Sequence, residues 1–504
     1  MKKLICIVLI SLSMFSCKKD FEQVNTNNNV PTQVTPDLLL SGVIRNMMNG
    51  QVSEAWGIGN IVAQYHSKIQ FVNEDRYLWG EQNSLWNNVY GNMRNVKNML
   101  DMSTDDKDAY RGIALILKSW MFAMATDAYG DIPYSEATKG KIEGIYTPKY
   151  DKQEDIYQGI LSDLKKANEV LAQSTTDVKG DLLYGGGSAS ISKWRKLSNS
   201  LRLRYLMRLS KKKDVAAEMQ AILSDATNNP VFTSNADNAE MKYLAAAPNQ
   251  WPMYGSRVGS FDEFRLSKTL SDRLKALNDP RLAVFGRPTQ ASVAAGKPEI
   301  EGVPNGLGDV AALNYNGGPQ GVSRVGYTFA CLVCNDPGQA PPVPDAPRAL
   351  LMTYAELQFI LAEAREKGMI TTGEAATYYK NGIDANFAYW QNVVPQSYGI
   401  NITPAEDYFT QSGVAYTGSQ TEKLQKIGLQ KWISLYFNGL EAWFDWRRTG
   451  MPEIIPGADN LNNNKVPVRF IYPLSEQSLN GANRAEAVQR QGEDNLNIKP
   501  WIAQ

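Results

Sequence analysis

The chain has 504 residues, 52 Lys plus Arg against 52 Asp plus Glu, and a single histidine, His66. Balanced charge argues against a nucleic-acid surface, because neutralising phosphates takes a basic excess. One imidazole excludes HExxH zinc sites and leaves any Ser-His-Asp or Cys-His catalyst dependent on His66 alone.

Residues 1–16 read as an export leader. Lys2 and Lys3 precede an apolar stretch from Leu4 to Phe15, shorter than the about 20 residues that span a bilayer. The stretch ends in Phe15-Ser16-Cys17, which looks like a lipobox, with Met14 where leucine is usual. In such a motif the Cys17 thiol takes a diacylglyceryl group and becomes the new N-terminus, an anchor that holds a protein on a membrane without crossing it. Residues 17–35 carry Lys18, Lys19, Asp20 and Glu22, then the run Asn27 to Asn29. They read as a polar tether. Charges directly behind a lipidated cysteine resemble a signal for the outer face of the outer membrane.

Helical periodicity dominates the first half of the remaining chain. Leu85, Val89, Met93, Val96 and Leu100 form one stripe, with Trp86 and Tyr90 beside it. After Asp105 and Asp106, Ile113, Ile116, Trp120, Ala123 and Met124 mark a second helix, stopped by Gly130 and Pro133. A third is expected to start on Asp151 as its cap and carries Ile156, Ile160, Leu164 and Leu171. A fourth covers Ser192 to Ser210. Residues 230–350 are rich in Gly and Pro and read as long loops with few short strands, helical pattern surviving at Leu270, Leu274 and Leu277. Loops of this kind on a rigid scaffold are where binding sites usually lie. Helices return at Thr353, read with Glu356 as a capping box, again from Thr372, and as one long helix over Leu424 to Trp446. The pairing of small and aromatic residues around Ala362, Ala364, Ala375, Tyr378 and Tyr379 suggests degenerate tetratricopeptide-type units. Such pairs bury their faces only against neighbours, so the reading is a mainly α, continuous helical body over 36–504.

Few motifs carry chemistry. Cys331 and Cys334 form a CxxC ahead of Pro337, Pro341, Pro342, Pro344 and Pro347. Two sulfurs fill half a zinc site, and the setting is not the helix start of a thioredoxin motif. A short loop disulfide and two free thiols both fit. Gly306 to Ala311 matches GxGxxA without the strand that a dinucleotide fingerprint needs. No segment satisfies the EF-hand pattern, which leaves only scattered loop oxygens for a calcium ion, and no cofactor is expected. Glu441 and Asp445 beside Arg447 and Arg448 have the composition of a glycosidase carboxylate pair, but their spacing puts them on one helix face, where structural ion pairs form. His66 is placed on a helix without a catalytic role. The aromatic surplus, 11 Trp and 24 Tyr, is more suggestive. Tyr77, Trp79, Trp251, Tyr254, Tyr315 and Tyr327 lie among Gly, Asn, Arg and Pro in presumed loops, where aromatic faces can stack on sugar rings. They are the candidate ligand residues, with packing beneath the loops as the competing role.

A series of motifs then runs through the chain: the Cys17 lipobox, Ala128-Tyr129-Gly130-Asp131-Ile132-Pro133-Tyr134, Trp194 with Asn199-Ser200-Leu201-Arg202-Leu203-Arg204, and Asn278-Asp279-Pro280-Arg281. Near the C-terminus come Gln430-Lys431-Trp432, Glu441-Ala442-Trp443, Arg447-Arg448-Thr449-Gly450 and Arg469-Phe470-Ile471-Tyr472-Pro473. In this order they resemble the SusD/RagB superfamily, in particular its SusD-like branch of starch-binding-associated outer-membrane lipoproteins. The resemblance implies tetratricopeptide-like helix pairs packed against a loop-rich half. It also implies lipid anchoring at the cell surface, and capture of a nutrient, often an oligosaccharide, for delivery without chemistry to a SusC-type TonB-dependent transporter. The shared motifs are scaffold and carry no ligand residue with them. Two other readings stay open, a surface lipoprotein glycosidase and a helical-repeat protein that binds other proteins.

Overall fold

The computed structural model describes residues 34–504 apart from Asn335 and Pro337. The export leader, Cys17 and nearly all of the tether lie outside the described residues. The chain opens with α1 (Pro36–Glu54), which buries Leu40, Val43, Ile44, Met47 and Met48 along one face. A π turn at Ala55–Gly59 and a short turn at Asn60–Val62 lead into β1 (His66–Lys68). Next come α2 (Asn83–Met102) and α3 (Ala109–Tyr129), the latter capped by the Asp108 carboxylate on the Tyr110 amide. A two-stranded clip of β2 (Ile132–Pro133) and β3 (Tyr150–Asp151) joins α3 to α4 (Gln153–Gln173), and α5 (Ser188–Leu209) lies beyond it.

These helices stack in sequence. α1 packs on α2, α2 on α3, α3 on α4 and α4 on α5. The second block repeats the device with α7 (Tyr354–Glu366) against α8 (Ala375–Val393), and α9 (Gln420–Ser434) against α7. Between the blocks lie β4 (Ala239–Lys242), β5 (Phe264–Leu266), α6 (Lys268–Ala276) and β6 (Arg348–Met352). Strands β1–β5 and β4–β6 pair antiparallel as separate two-stranded ribbons. The chain closes with α10 (Gly439–Thr449) and α11 (Gly481–Gln491). The fold is mainly α, as the sequence pattern requires, with the loop-rich segment laid against the helix stack.

Several local expectations are corrected. Asp151 is not a helix cap: it sits on β3 and accepts from the Tyr134 and Ser135 amides, at 3.1 and 2.7 Å, so α4 starts two residues later. Thr353 caps α7 through the Glu356 amide, but the Glu356 side chain turns into the core to meet Arg204 at 2.6 Å, which leaves half a capping box. The expected helix over Leu424 to Trp446 is two helices, because the chain turns at Leu435–Asn438 with Phe437 at φ +66°. His66 lies on β1 rather than a helix.

The turn lets α10 dive beside the π turn. There Gly439 faces Gly59 so closely that a Cβ on Gly439 would sit 2.2 Å from the Gly59 carbonyl carbon. Aromatic rings seal the junction of the two halves. Phe437 stacks on Phe329 at 4.5 Å, Phe285 stacks on Tyr436 at 4.0 Å, and Trp56 bridges Phe261 and Phe264.

Candidate functional site

Four of the six aromatic candidates are core residues. Tyr77 and Trp79 are buried, the Trp79 ring set edge-on to Trp443 and Phe470, with its indole N–H donating to the Glu74 carbonyl at 2.8 Å. Trp251 is 2 % exposed, wedged against Tyr243 and Phe437. Tyr327 lies under the Arg287 guanidinium and donates its hydroxyl to Asp336 at 2.6 Å. The loops around these residues are polar in sequence but pack downward, and burying a large ring gains more than leaving it in water. Tyr254 and Tyr315 are half-buried and stand in different places. Tyr315 covers a small cluster of Ile69, Val303 and Val322, and Tyr254 accepts the Leu332 amide beside a Cys331–Cys334 disulfide. The six therefore do not form one site.

The carboxylates of the C-terminal motif are structural. Glu441 on α10 meets Arg208 of α5, which also holds Asp127 of α3. Asp445 receives Arg448 at 2.9 Å and Lys431 at 3.0 Å, and Arg448 forks onto Glu363 at 2.6 Å. Burial opposes ionisation of Asp445, yet Arg448 and Lys431 hold its carboxyl far below the usual carboxylate range. The space beside Glu441 amounts to about 10 Å³, room for one water and not for a sugar. His66 is fully buried and its Nε2 meets the Tyr436 hydroxyl at 2.9 Å. Desolvation pushes it down to about 3, so it stays neutral.

The feature suited to a ligand lies where the loop before α5 meets β4. Gly185, Gly186 and Gly187 all hold positive φ, which makes a turn that only glycine adopts freely. Asp181 rigidifies the same loop by accepting the Leu183 and Tyr184 amides and the Trp194 indole N–H. On β4 the alternation of a strand sends Ala239 and Met241 to the core and Glu240 and Lys242 outward. Asp237 is pinned by the Thr233 amide at 2.7 Å and by Lys196 at 2.9 Å. Burial raises its carboxyl, but these partners win and keep it below the ordinary value.

Between these elements opens a cleft of about 630 Å³, lined by Tyr184, Lys193, Asn235, Asn238, Glu240 and Asn392 among others. A smaller hollow of about 100 Å³, with Arg45, Asn49, Tyr243 and Asn249, lies beside it and shares Leu182 and Lys242. The volume lies within the about 300–1,000 Å³ of ligand sites. Three acceptors on residues of the two walls, Asn235 Oδ1, Glu240 Oε2 and Asn249 Oδ1, are buried behind the lining without a partner. Burial raises the Glu240 carboxyl, against the pull of Arg348, Lys242 and Lys193. Little in the sequence marks the groove apart from the glycine triplet before a helix and the recurrence of Asn at 235, 238 and 249.

Among the described residues no group of His, Cys, Asp and Glu is placed to hold a metal ion, and no helix is long and apolar enough to cross a membrane. The chain belongs to the SusD-like family described as starch-binding and associating with the outer membrane, whose model matches residues 27–473. Among solved structures, a SusD homolog from Bacteroides fragilis NCTC 9343 is 28% identical over 94% of this chain and 100% of its own, with a TM-score of 0.78. An outer membrane protein from Bacteroides vulgatus ATCC 8482, associated with nutrient binding, is 27% identical over the same shares, at 0.82. A chitin-binding protein is 30% identical over 93% of this chain and 100% of its own, at 0.77. No curated protein matches the sequence significantly.

Proposed function

We propose that the protein captures an oligosaccharide at the cell surface, in the groove between the 181–187 loop and β4, and passes it unchanged to a SusC-type TonB-dependent transporter. Lipid on Cys17 holds it to the outer membrane. The observation that carries the ligand class is the polar lining of a cleft of about 630 Å³, with Tyr184, Lys193, Lys242 and Asn392 on its walls, a setting in which sugar hydroxyls find partners. The similarity to a chitin-binding protein supports a carbohydrate, and the family description supports the outer membrane. The packed ion pairs around Glu441 and Asp445 leave no room for substrate, which disfavours a glycosidase working through them.

The test is a glycan array followed by titration calorimetry. Asn392→Ala with Lys242→Ala, both exposed on the cleft wall, is expected to weaken the binding of whichever glycan scores by about tenfold or more, the equivalent of about 1.4 kcal/mol, with an unchanged melting temperature. A glycan that binds the double variant as tightly as the parent would remove the groove from the reading. Co-purification of a TonB-dependent transporter with the full chain tests the delivery step.

A further inference from the structure

The polar cleft has a neighbour of different character. The hollow of about 100 Å³ beside it is walled by α1 through Arg45 and Asn49, by Leu182 of the loop before α5, and by the chain from Met241 to Leu244 as it leaves β4. Met241 and Tyr243 are buried, whereas Leu182 is half-buried and Leu244 is exposed, so its apolar surface can be reached from outside.

The hollow is held in shape by its own contacts. Tyr243 stands edge-on to Trp251 at 5.3 Å, and its hydroxyl donates to Asn49 Oδ1 at 3.0 Å. The Leu244 amide donates to the Asn249 carbonyl at 2.8 Å, which closes the loop at the rim. Because Tyr243 engages Asn49 Oδ1, the end of that side chain left for an occupant is the Nδ2 donor. Asn49 is half-buried on the wall, so this donor is not sealed in the core.

Size and chemistry narrow the occupant. A cavity of about 150 Å³ takes a benzene ring. A hollow of about 100 Å³ is therefore too small for a sugar ring and suits a group of roughly three or four heavy atoms. Leu182, Met241, Tyr243 and Leu244 make it a poor place for a charged group, and the Asn49 donor asks for one acceptor. A sugar hydroxyl would leave most of the space empty, and a plain alkyl group would leave Asn49 to water. An acetyl group brings a methyl for the apolar wall and a carbonyl oxygen for the donor. Leu182 and Lys242 line both spaces, so a ring held in the cleft lies next to the hollow.

Resting on the reading of the cleft as the capture site, we propose that the captured glycan is acetylated and that this hollow reads the acetyl group. The methyl packs on Leu182 and Leu244, and the carbonyl oxygen accepts from Asn49 Nδ2. The acetyl group can be carried on nitrogen, as in an acetamido sugar, or on oxygen, as an ester, and two matched pairs of probes separate these sources.

The experiment titrates the purified full chain with chitotetraose against cellotetraose, and with O-acetylated xylotetraose against xylotetraose. Within each pair the backbone is the same and the acetyl group is the difference. In at least one pair the acetylated member is expected to bind at least about tenfold more tightly. Leu244→Trp, which fills the hollow from its exposed rim, should bring that member down to its parent. Asn49→Asp, which keeps the acceptor for Tyr243 and removes the donor, should do the same, and neither should move the melting temperature. Asn392→Ala, on the cleft wall alone, should weaken both members of a pair alike. Equal binding within both pairs that is still weakened by Asn392→Ala overturns the acetyl assignment and leaves the cleft intact. An acetyl preference that survives Leu244→Trp and Asn49→Asp overturns the role of the hollow. No binding by any probe overturns the acetyl assignment, and binding that ignores all three substitutions overturns the cleft with it.

Discussion

Two tryptophans that look in sequence like sugar platforms are, by their burial, among the heaviest single contributors to the core. Replacing Trp251 or Trp79 by alanine empties space among Tyr243, Phe437, Trp443 and Phe470, a change of the kind that costs about 3–5 kcal/mol. Chemical denaturation should show that loss directly, and any fall in ligand affinity should vanish once the folded fraction is corrected for. Glu54 makes a second residue-scale case. Burial pushes its carboxyl up to about 7, against a hydrogen bond from Ser84. In the unfolded chain it ionises near its ordinary value, so its contribution is complete in acid and is lost as pH rises through the folded value. Glu54→Gln should therefore match the parent below about pH 4.5 and exceed it by roughly 2 to 3 kcal/mol at pH 8, measured as the difference between paired denaturation curves across pH. His66 runs the other way: with its folded value lowered to about 3, its contribution is intact above its ordinary value near neutrality and fades as pH falls.

At the scale of the element, the sharpest constraint is the crossing of α10 over the π turn. Gly439 stands at the first residue of α10, where alanine would ordinarily be tolerated or favoured. Here the added Cβ meets backbone at Gly59 rather than a side chain that could swing away. Gly439→Ala should cost about 3 kcal/mol, visible as a lowered melting temperature with helix content retained. The same region shows what was legible in the sequence. Stripes such as Leu85, Val89, Met93 and Val96 announce their helices because a face buried against one neighbour writes its period into the chain, and α2 to α5 sit close to where that period puts them. The Leu424–Trp446 periodicity runs straight through a turn, because Leu435, Tyr436 and Phe437 are buried for reasons of aromatic packing that have no helical period. The groove was illegible for a related reason. Its lining comes from a loop, a short strand and the end of α8, which only the fold brings together and no linear pattern records. The shape of the scaffold was readable, whereas the groove was not.

Across the whole molecule, a chain of buried charges runs from Asp127 through Arg208, Glu441, Arg204 and Glu356, with a second set through Glu363, Arg448, Asp445 and Lys431. It ties α3, α5, α7, α9 and α10 to one another. Removing one member strands the other in a dry interior, whereas removing both exchanges an ion pair for apolar packing. Arg204→Met alone should cost about 3–5 kcal/mol. Arg204→Met together with Glu356→Leu should recover a large part of that, and a double-mutant cycle by denaturation measures the coupling. Additive losses would show that the pair does not act as a unit.

The same network sets the order in which the chain can become compact. Arg208 is made early and waits for Glu441, 233 residues further on, and Gln51 waits still longer for Asn438. Until the segment from Gly439 to Thr449 exists, Arg208 has Asp127 but lacks Glu441, and the seam along α1 stands open at Gln51. Long waits of this kind delay closure, since distant partners must meet before either is rewarded. An elongating chain can therefore pair α1 to α5 early but closes its buried network only when α10 arrives. For a chain exported as proposed above, that timing leaves the network open until the chain has left the compartment of its making.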